Sequence, residues 1–387
     1  MPYAIKLLNN IAQAAKELLP EDSYILGTEV PAPDAIIVRS ADMHAYQRNS
    51  ELVAIARAGA GVNNIPLEAC AKDGVVVFNT PGANANAVKE LVICALLLCG
   101  RDVVGGITWA RNLAGCCEDV EPTVEKGKKN FVGGEICGKT LGVVGLGAIG
   151  VKVANAAASL GMKVTGFDPM LSPAAKNALC DEVTVLDELD DLWGQCDYIT
   201  LHLPLNDHTR HMVGATQLSA MKPGAVLLNL ARGGLVDEAS LLAALDEGTL
   251  RGYVTDFPNE TVISHLKVLP IPHLGASTPE SEENCALMAA QQLRDYLEEG
   301  VIRNSVNYPA FDAPRAAACR ICILHENDGA DLGNMVRLLL EDCGVAGISH
   351  SERGAVAYTV VDLEHRPIDQ AIEGLRQLQG VLRLRCL

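Results

Sequence analysis

The chain is poor in aromatic residues, with five Phe, two Trp and eight Tyr among 387 residues. It is also poor in positive charge, since 48 Asp and Glu face 31 Lys and Arg for a formal net charge of −17. That balance argues against nucleic acid and anionic membranes as partners, because a phosphate-rich polymer repels such a surface. It leaves room for a small anionic substrate, which a few local arginines can hold. Long apolar runs are missing as well. The longest, Leu91 to Cys99, is about half of what a bilayer crossing needs. No basic start, apolar stretch and small-residue cleavage site open the chain, so neither leader nor membrane anchor is expected. The thirteen cysteines are scattered along the chain. An odd number cannot all bridge within one chain, so reduced thiols and a cytoplasmic setting are expected, and no metal site. Cys116 and Cys117, the one adjacent pair, read as ordinary loop residues.

What is abundant is Ala, Gly, Leu and Val, in short apolar runs that alternate with helix-like stretches. This is the composition of parallel sheets buried between helices. Residues from the start to about Gly82 (Ile36–Val38, Leu52–Ala56, Val75–Phe78) read as a small α/β sheet, followed by a helix near Ala87–Val104. Asn112–Lys139 reads as a polar loop. From Leu141 the alternation restarts, with five or six strands expected for a doubly wound Rossmann sheet. A long helix over Pro279–Glu299 follows, then a Pro- and Asn-containing linker near Val301–Arg315. The last seventy or so residues read as βαββαβ, with helices near Asp331–Glu341 and Ile368–Leu378. The expected domains are 1–96 for substrate, 97–278 for dinucleotide, 279–300 a helix returning to the first domain, 301–316 a linker, and 317–387 a small regulatory domain.

The most specific signal is Gly145-Leu-Gly147-Ala148-Ile149-Gly150, directly after the apolar run Thr140–Val144. Gly145 permits the tight turn, Gly147 lets backbone approach a pyrophosphate, and Gly150 allows close helix–strand packing. The phosphates would rest on the N-terminus of the next helix. Asp168 ends the next apolar run about twenty residues later, where a carboxylate binds both ribose hydroxyls and repels a 2′-phosphate. NAD is therefore the expected cofactor.

Three residues downstream could do chemistry on a hydroxy acid. Arg232, in Asn229-Leu-Ala-Arg232-Gly-Gly, follows a strand end and has the planar fork that grips a carboxylate. His273, in Pro-His273-Leu-Gly-Ala-Ser-Thr, is a candidate proton acceptor. Glu260 could hydrogen-bond the imidazole and raise its pKa.

In order and spacing these motifs resemble the D-isomer-specific 2-hydroxyacid dehydrogenases, over essentially the whole chain. The resemblance implies catalytic roles for Arg232, Glu260 and His273. It implies NAD contacts at Ala148, Ile149, Asp168, Leu203, Pro204, Leu230, Ala231 and Asp256, at His273, Gly275 and Ala276, and at Thr80. Asp256 would hold the nicotinamide carboxamide. Substrate would meet Arg39, Ser40, Arg57, Gly59 and Asn84 besides Arg232, with Arg39 or Arg57 on a phosphate. The implied reaction is oxidation of 3-phospho-D-glycerate to 3-phosphohydroxypyruvate, the first step of serine biosynthesis. Reduction of glyoxylate, hydroxypyruvate or D-lactate-type substrates on the same scaffold is the neighbouring alternative, and a non-enzymatic NAD-sensing corepressor the distant one. A homodimer or homotetramer is also implied.

Two departures stand out. The segment Asp256-Phe257-Pro258-Asn259-Glu260 is about one residue shorter than the family's Asp-Val-Phe-x-x-Glu. The C-terminal piece resembles an ACT domain, in which His325 and Asn327 would meet a serine effector, but a further Asn of serine-regulated relatives is replaced here by Ala346.

Overall fold

The computed structural model describes residues 2–387 apart from Cys117, 328–335, 337–339, 341 and 342. The chain forms two compact units, Met1–Asn84 with Pro279–Leu387, and Ala85–Thr278.

The first unit begins with a parallel sheet of β1 (Tyr3–Leu8), β2 (Tyr24–Gly27), β3 (Ala35–Val38), β4 (Ala54–Arg57) and β5 (Val76–Phe78), ordered β2-β1-β3-β4-β5. Its central strands carry side chains suited to burial on both faces. Ala35–Val38 and Val76–Phe78 are accordingly fully buried. The short helix α1 (Leu67–Lys72) connects β4 to β5.

The second unit opens with α2 (Ala85–Gly100), α3 (Val103–Asn112) and α4 (Val120–Gly127). Val88, Val92, Ala95 and Leu96 of α2 share a core with Val151, Val153, Ala154 and Ala157, so this helix belongs to the second unit. The boundary therefore falls at Asn84/Ala85 rather than at residue 96. The expected loop after Asn112 contains α4.

Seven parallel strands follow, with helices between them. They are β6 (Thr140–Val144), β7 (Lys163–Phe167), β8 (Val183–Val185), β9 (Tyr198–Leu201), β10 (Ala225–Asn229), β11 (Leu250–Thr255) and β12 (Val268–Pro270). Their order, β12-β11-β10-β9-β6-β7-β8, is that of a doubly wound dinucleotide fold, and its switch point lies between β6 and β9. The edge strand β8 is only three residues long and partly exposed, and it brings the count to seven where five or six strands are expected. Helix α5 (Ala148–Ser159) follows the glycine-rich turn, and α6 (Pro173–Ala178), α7 (Asp190–Trp193), α8 (Ala215–Ala220) and α9 (Glu238–Asp246) complete the unit.

Helix α10 (Pro279–Glu299) returns to the first unit, as its amphipathic pattern predicts. Cys285, Ala286, Ala289, Ala290, Leu293, Tyr296 and Leu297 pack against Ile37, Ala54, Ala56 and Phe78. The segment expected as a linker is also packed. Ile302, Tyr308 and Phe311 are buried, while Asn307 accepts from the Val77 amide at 2.8 Å and donates to the Val75 carbonyl at 2.9 Å.

An antiparallel sheet closes the unit: β13 (Cys319–Glu326), β14 (Val345–Arg353), β15 (Val356–Leu363) and β16 (Val381–Cys386), ordered β14-β15-β13-β16, with α11 (Asp369–Arg376) before the last strand. The helix expected near Asp331–Glu341 lies outside the described residues except at Val336 and Leu340, which are buried with Ile321 and Ile323. The other sheet face, Cys322, Leu324, Tyr358 and Val360, joins the α10 core. Arg320, fully buried, binds Asp362 through Nε–Oδ1 at 2.7 Å and Nη2–Oδ2 at 2.9 Å. Its Nη1 also donates to the Glu299 carbonyl at 2.8 Å, which caps the end of α10.

Candidate active site

In the second unit the glycine fingerprint has the geometry its sequence implies. Gly145 has φ +94°, and a Cβ there would lie 2.6 Å from the His202 carbonyl oxygen. A Cβ on Gly150 would lie 1.9 Å from the Gly145 carbonyl oxygen, whereas at Gly147 it would meet nothing within 4 Å. Two glycines are thus required by packing, and the third leaves open space at the start of α5. Asp168 Oδ2 accepts from the Leu146 amide at 2.8 Å and Oδ1 from the Met170 amide at 2.8 Å. Each oxygen retains a lone pair for a ribose hydroxyl.

Leu203 lies beside Gly145, and Pro204 follows it on the loop after β9. Sequence reading overlooked His202 just before them. Its Nε2 is 3.1 Å from Thr200 Oγ1, and burial pushes its pKa down to about 4, so this ring is neutral at physiological pH.

The neighbouring strands β10, β11 and β12 carry Arg232, Asp256 and His273 on the turns that follow their C-terminal ends. Open α/β sheets bind ligands at this edge. Leu230 is buried and Ala231 half-buried in the Arg232 turn, and Gly275 and Ala276 follow His273. Buried Asn229 shapes the turn by donating to the Arg232 carbonyl at 2.9 Å and accepting from the Arg232 amide at 3.3 Å. Tyr253 Oη braces the Asn229 amide at 3.2 Å. Neither Asn229 nor Tyr253 carries a sequence signal separable from ordinary strand residues.

Asp256 is 1% exposed, and its Oδ1 lacks a hydrogen-bond partner among the described residues. Burial pushes its pKa up to about 6 against the pull of the Gly275 amide and Arg232. An orphaned buried acceptor fits a ligand amide donor. With the open Gly147 and the free acceptor capacity of Asp168, the residues present suit a bound dinucleotide.

The expected Glu260–His273 hydrogen bond is not formed. Glu260 is exposed, and no hydrogen bond or ion pair involves its carboxylate among the described residues. The cause is local. Asn259 Oδ1 accepts from the Thr261 amide at 3.0 Å and the Val262 amide at 3.3 Å, and its Nδ2 donates to Glu238 at 2.6 Å. This Asx-type turn fixes the shortened segment. The ring beside His273 is instead Phe257, with centroids 4.5 Å apart.

In the first unit, the ends of adjacent strands β3, β4 and β5 gather Arg39–Ser40, Arg57–Gly59 and Thr80–Asn84. Arg39 Nη1 pairs with Glu282 Oε1 at 2.7 Å. The Ser40 amide donates to Asn9 Oδ1 at 3.0 Å. Arg57 Nε donates to the Arg39 carbonyl at 3.0 Å. Thr80 Oγ1 and Asn84 Oδ1 are buried without hydrogen-bond partners among the described residues, as expected of groups reserved for a ligand.

The expected effector residues are engaged within the sheet. His325 is buried with Nε2 2.9 Å from Thr359 Oγ1 and Nδ1 2.8 Å from the Glu326 carbonyl. Asn327 donates to Glu352 at 3.0 Å and to the Gly354 carbonyl at 3.2 Å.

A doubly wound sheet with this fingerprint, and with Arg232 and His273 at its ligand-binding edge, defines a dehydrogenase class. Residues 106–276 match the NAD binding domain of the D-isomer specific 2-hydroxyacid dehydrogenases, and the chain belongs to this family. It is 32% identical over 354 residues to D-3-phosphoglycerate dehydrogenase of Escherichia coli, covering 87% of this chain and 82% of that protein. With the D-3-phosphoglycerate dehydrogenase of Methanocaldococcus jannaschii it shares 33% over 352 residues, 87% of this chain and 63% of the relative. The chain thus spans less than two thirds of that relative's length. The NAD+-bound crystal structure of 3-phosphoglycerate dehydrogenase from Entamoeba histolytica superimposes with TM-score 0.62 at 26% identity, covering 79% of this chain and 99% of that one.

Proposed function

We propose that the protein is an NAD-dependent D-2-hydroxyacid dehydrogenase that oxidises 3-phospho-D-glycerate to 3-phosphohydroxypyruvate, the first step of serine biosynthesis. The observation that carries this reading is the placement of Arg232, Asp256 and His273 on consecutive strand ends of the dinucleotide sheet. The similarity to phosphoglycerate dehydrogenases supports the substrate.

Bound NAD supplies a hydride acceptor. Asp168 binds the adenine ribose, and Asp256 Oδ1 accepts from the nicotinamide carboxamide. Arg232 holds the substrate carboxylate and stabilises charge developing on the carbonyl oxygen. His273 takes the hydroxyl proton as hydride leaves the second carbon. Arg57 and the Gly59 loop take the phosphate. Glu260, being exposed and unbonded, is given no direct contact.

The Arg39–Glu282 pair favours a second reading, since it occupies one of two arginines expected for the phosphate. Under that reading the substrate is an unphosphorylated D-2-hydroxy acid.

Assembly and setting belong to the same proposal. Val103, Val104 and Ile107 are exposed at positions i, i+1 and i+4 of α3, an apolar helix face that suits burial in a homodimer. No single helix among the described residues is long and apolar enough to cross a membrane. The described cysteines are unbridged, which supports a cytoplasmic setting. Serine as an effector at His325 and Asn327 remains part of this proposal, with Asn327 Oδ1 as the acceptor its two Nδ2 bonds leave open.

The test is reduction of NAD and NADP with 3-phospho-D-glycerate, D-glycerate, D-lactate and 2-hydroxyglutarate. Preference for NAD and 3-phospho-D-glycerate is expected, and equal use of unphosphorylated acids would overturn the substrate.

A further inference from the structure

Phe257 touches both side chains to which the proposed reaction assigns chemistry. Its ring centroid lies 4.5 Å from that of His273, with the planes 50° apart, and Arg232 Cζ lies 6.0 Å from the same ring. The sheet places it there. The Phe257 amide donates to Thr255 Oγ1 at 3.0 Å, and Thr255 is a buried residue at the end of β11. The Arg232 turn runs alongside, since a Cβ on Gly233 would stand 3.4 Å from Phe257 Cβ, an ordinary contact distance.

We propose that Phe257 is a positioning residue, orienting the His273 imidazole and the Arg232 guanidinium relative to one another. The inference rests on the dehydrogenase reading. An aromatic ring in contact with an imidazole limits its rotation, and the π cloud attracts imidazolium more strongly than neutral imidazole. The same cloud attracts the guanidinium. Among the described residues, charged groups stand on the turns after β10 and β11. Arg232, after β10, disfavours imidazolium, whereas Asp256 after β11, when ionised, and Glu260 farther along that turn favour it. The shortened segment that leaves Glu260 exposed also places Phe257 directly after Asp256.

The test uses the full chain carrying Phe257→Leu, Phe257→Met, whose unbranched flexible side chain fills irregular space should the branched one misfold, and Phe257→Tyr. Two quantities are read: kcat and KM with NAD and 3-phospho-D-glycerate, and the His273 titration by NMR of histidine-labelled protein, assigned with His273→Gln. In the Leu and Met variants kcat should fall by about tenfold or more, NAD affinity should hold, and the His273 pKa should drop. The Tyr variant should restore both. An unmoved His273 titration in the Leu and Met variants overturns the proposal, whatever kcat does. If the unsubstituted enzyme turns over no hydroxy acid, the dehydrogenase reading fails instead, and the titration still decides the role of Phe257.

Discussion

Arg57 occupies the space that a side chain at Gly59 would need: its Nη1 lies 1.6 Å from the position of a Cβ on that glycine. Gly59 also has φ +148°, a conformation that L side chains rarely adopt. Gly59→Ala should displace the Arg57 guanidinium and raise KM for 3-phospho-D-glycerate by about tenfold or more. NAD affinity should hold, because neither Gly59 nor Arg57 is assigned to the cofactor. Unchanged KM would show that Arg57 does not serve the substrate.

The exposure of Glu260 and the position of His273 lead to unequal effects. His273→Ala should lower kcat by about a hundredfold or more, and Arg232→Ala should impair both kcat and KM. Glu260→Gln should cost less than about tenfold in kcat, because no bond to His273 is lost. Steady-state kinetics on the three variants checks the order, and a Glu260→Gln loss as deep as that of His273→Ala would restore the carboxylate to direct contact.

Asp256 links cofactor binding to stability. Its pKa is raised by burial from 3.8 to about 6, so between those values the folded protein holds a proton that the unfolded chain releases. Stability contributed by this group is therefore present at low pH and lost as pH rises through about 6, a difference of about 3 kcal/mol at most. Asp256→Asn should make the NAD-free protein more stable at pH 7.5, by about 1 to 3 kcal/mol. The dependence of denaturation on pH between 4 and 6 should flatten. NAD affinity should fall by about tenfold. Denaturant titrations across pH, with and without NAD, check all three.

The Arg320–Asp362 pair joins the C-terminal sheet to the end of α10. Removing one partner leaves the other buried and uncompensated, so Asp362→Ala should destabilise the first unit by about 3 to 5 kcal/mol. Arg320→Met, which removes the buried charge itself, should cost less than that. Hydrogen exchange should localise the Asp362→Ala loss to β13, β15 and the end of α10. Protection unchanged there would show that the sheet is held mainly by its apolar face.

Much of the dinucleotide site was legible because its chemistry is local. Gly150 packs on the Gly145 carbonyl within the motif, and Asp168 reaches back to the Leu146 amide inside one strand–helix–strand unit, so sequence spacing carries these relations directly. The α2 boundary was less legible. Its helix is apolar enough to pack on either unit, and the partner surface decides. The segment after Gly300 has the Pro and Asn content of a linker, yet Ile302, Tyr308 and Phe311 find a core supplied by distant residues. Glu260 was misplaced for a related reason: motif order fixes which residue types are present, but the Asn259 turn determines where that carboxylate goes.

The sequence by itself determined the fold class, the dinucleotide fingerprint and its acidic partner, and the residue types available for acid–base chemistry, because strand periodicity and glycine conformation are short-range properties. Only the tertiary structure decided that Phe257 rather than Glu260 stands beside His273, that Arg39 is paired with Glu282, and that the C-terminal sheet shares a core with α10. Those outcomes depend on side chains from separate strands and helices competing for the same space and the same hydrogen-bonding partners, which no local pattern encodes.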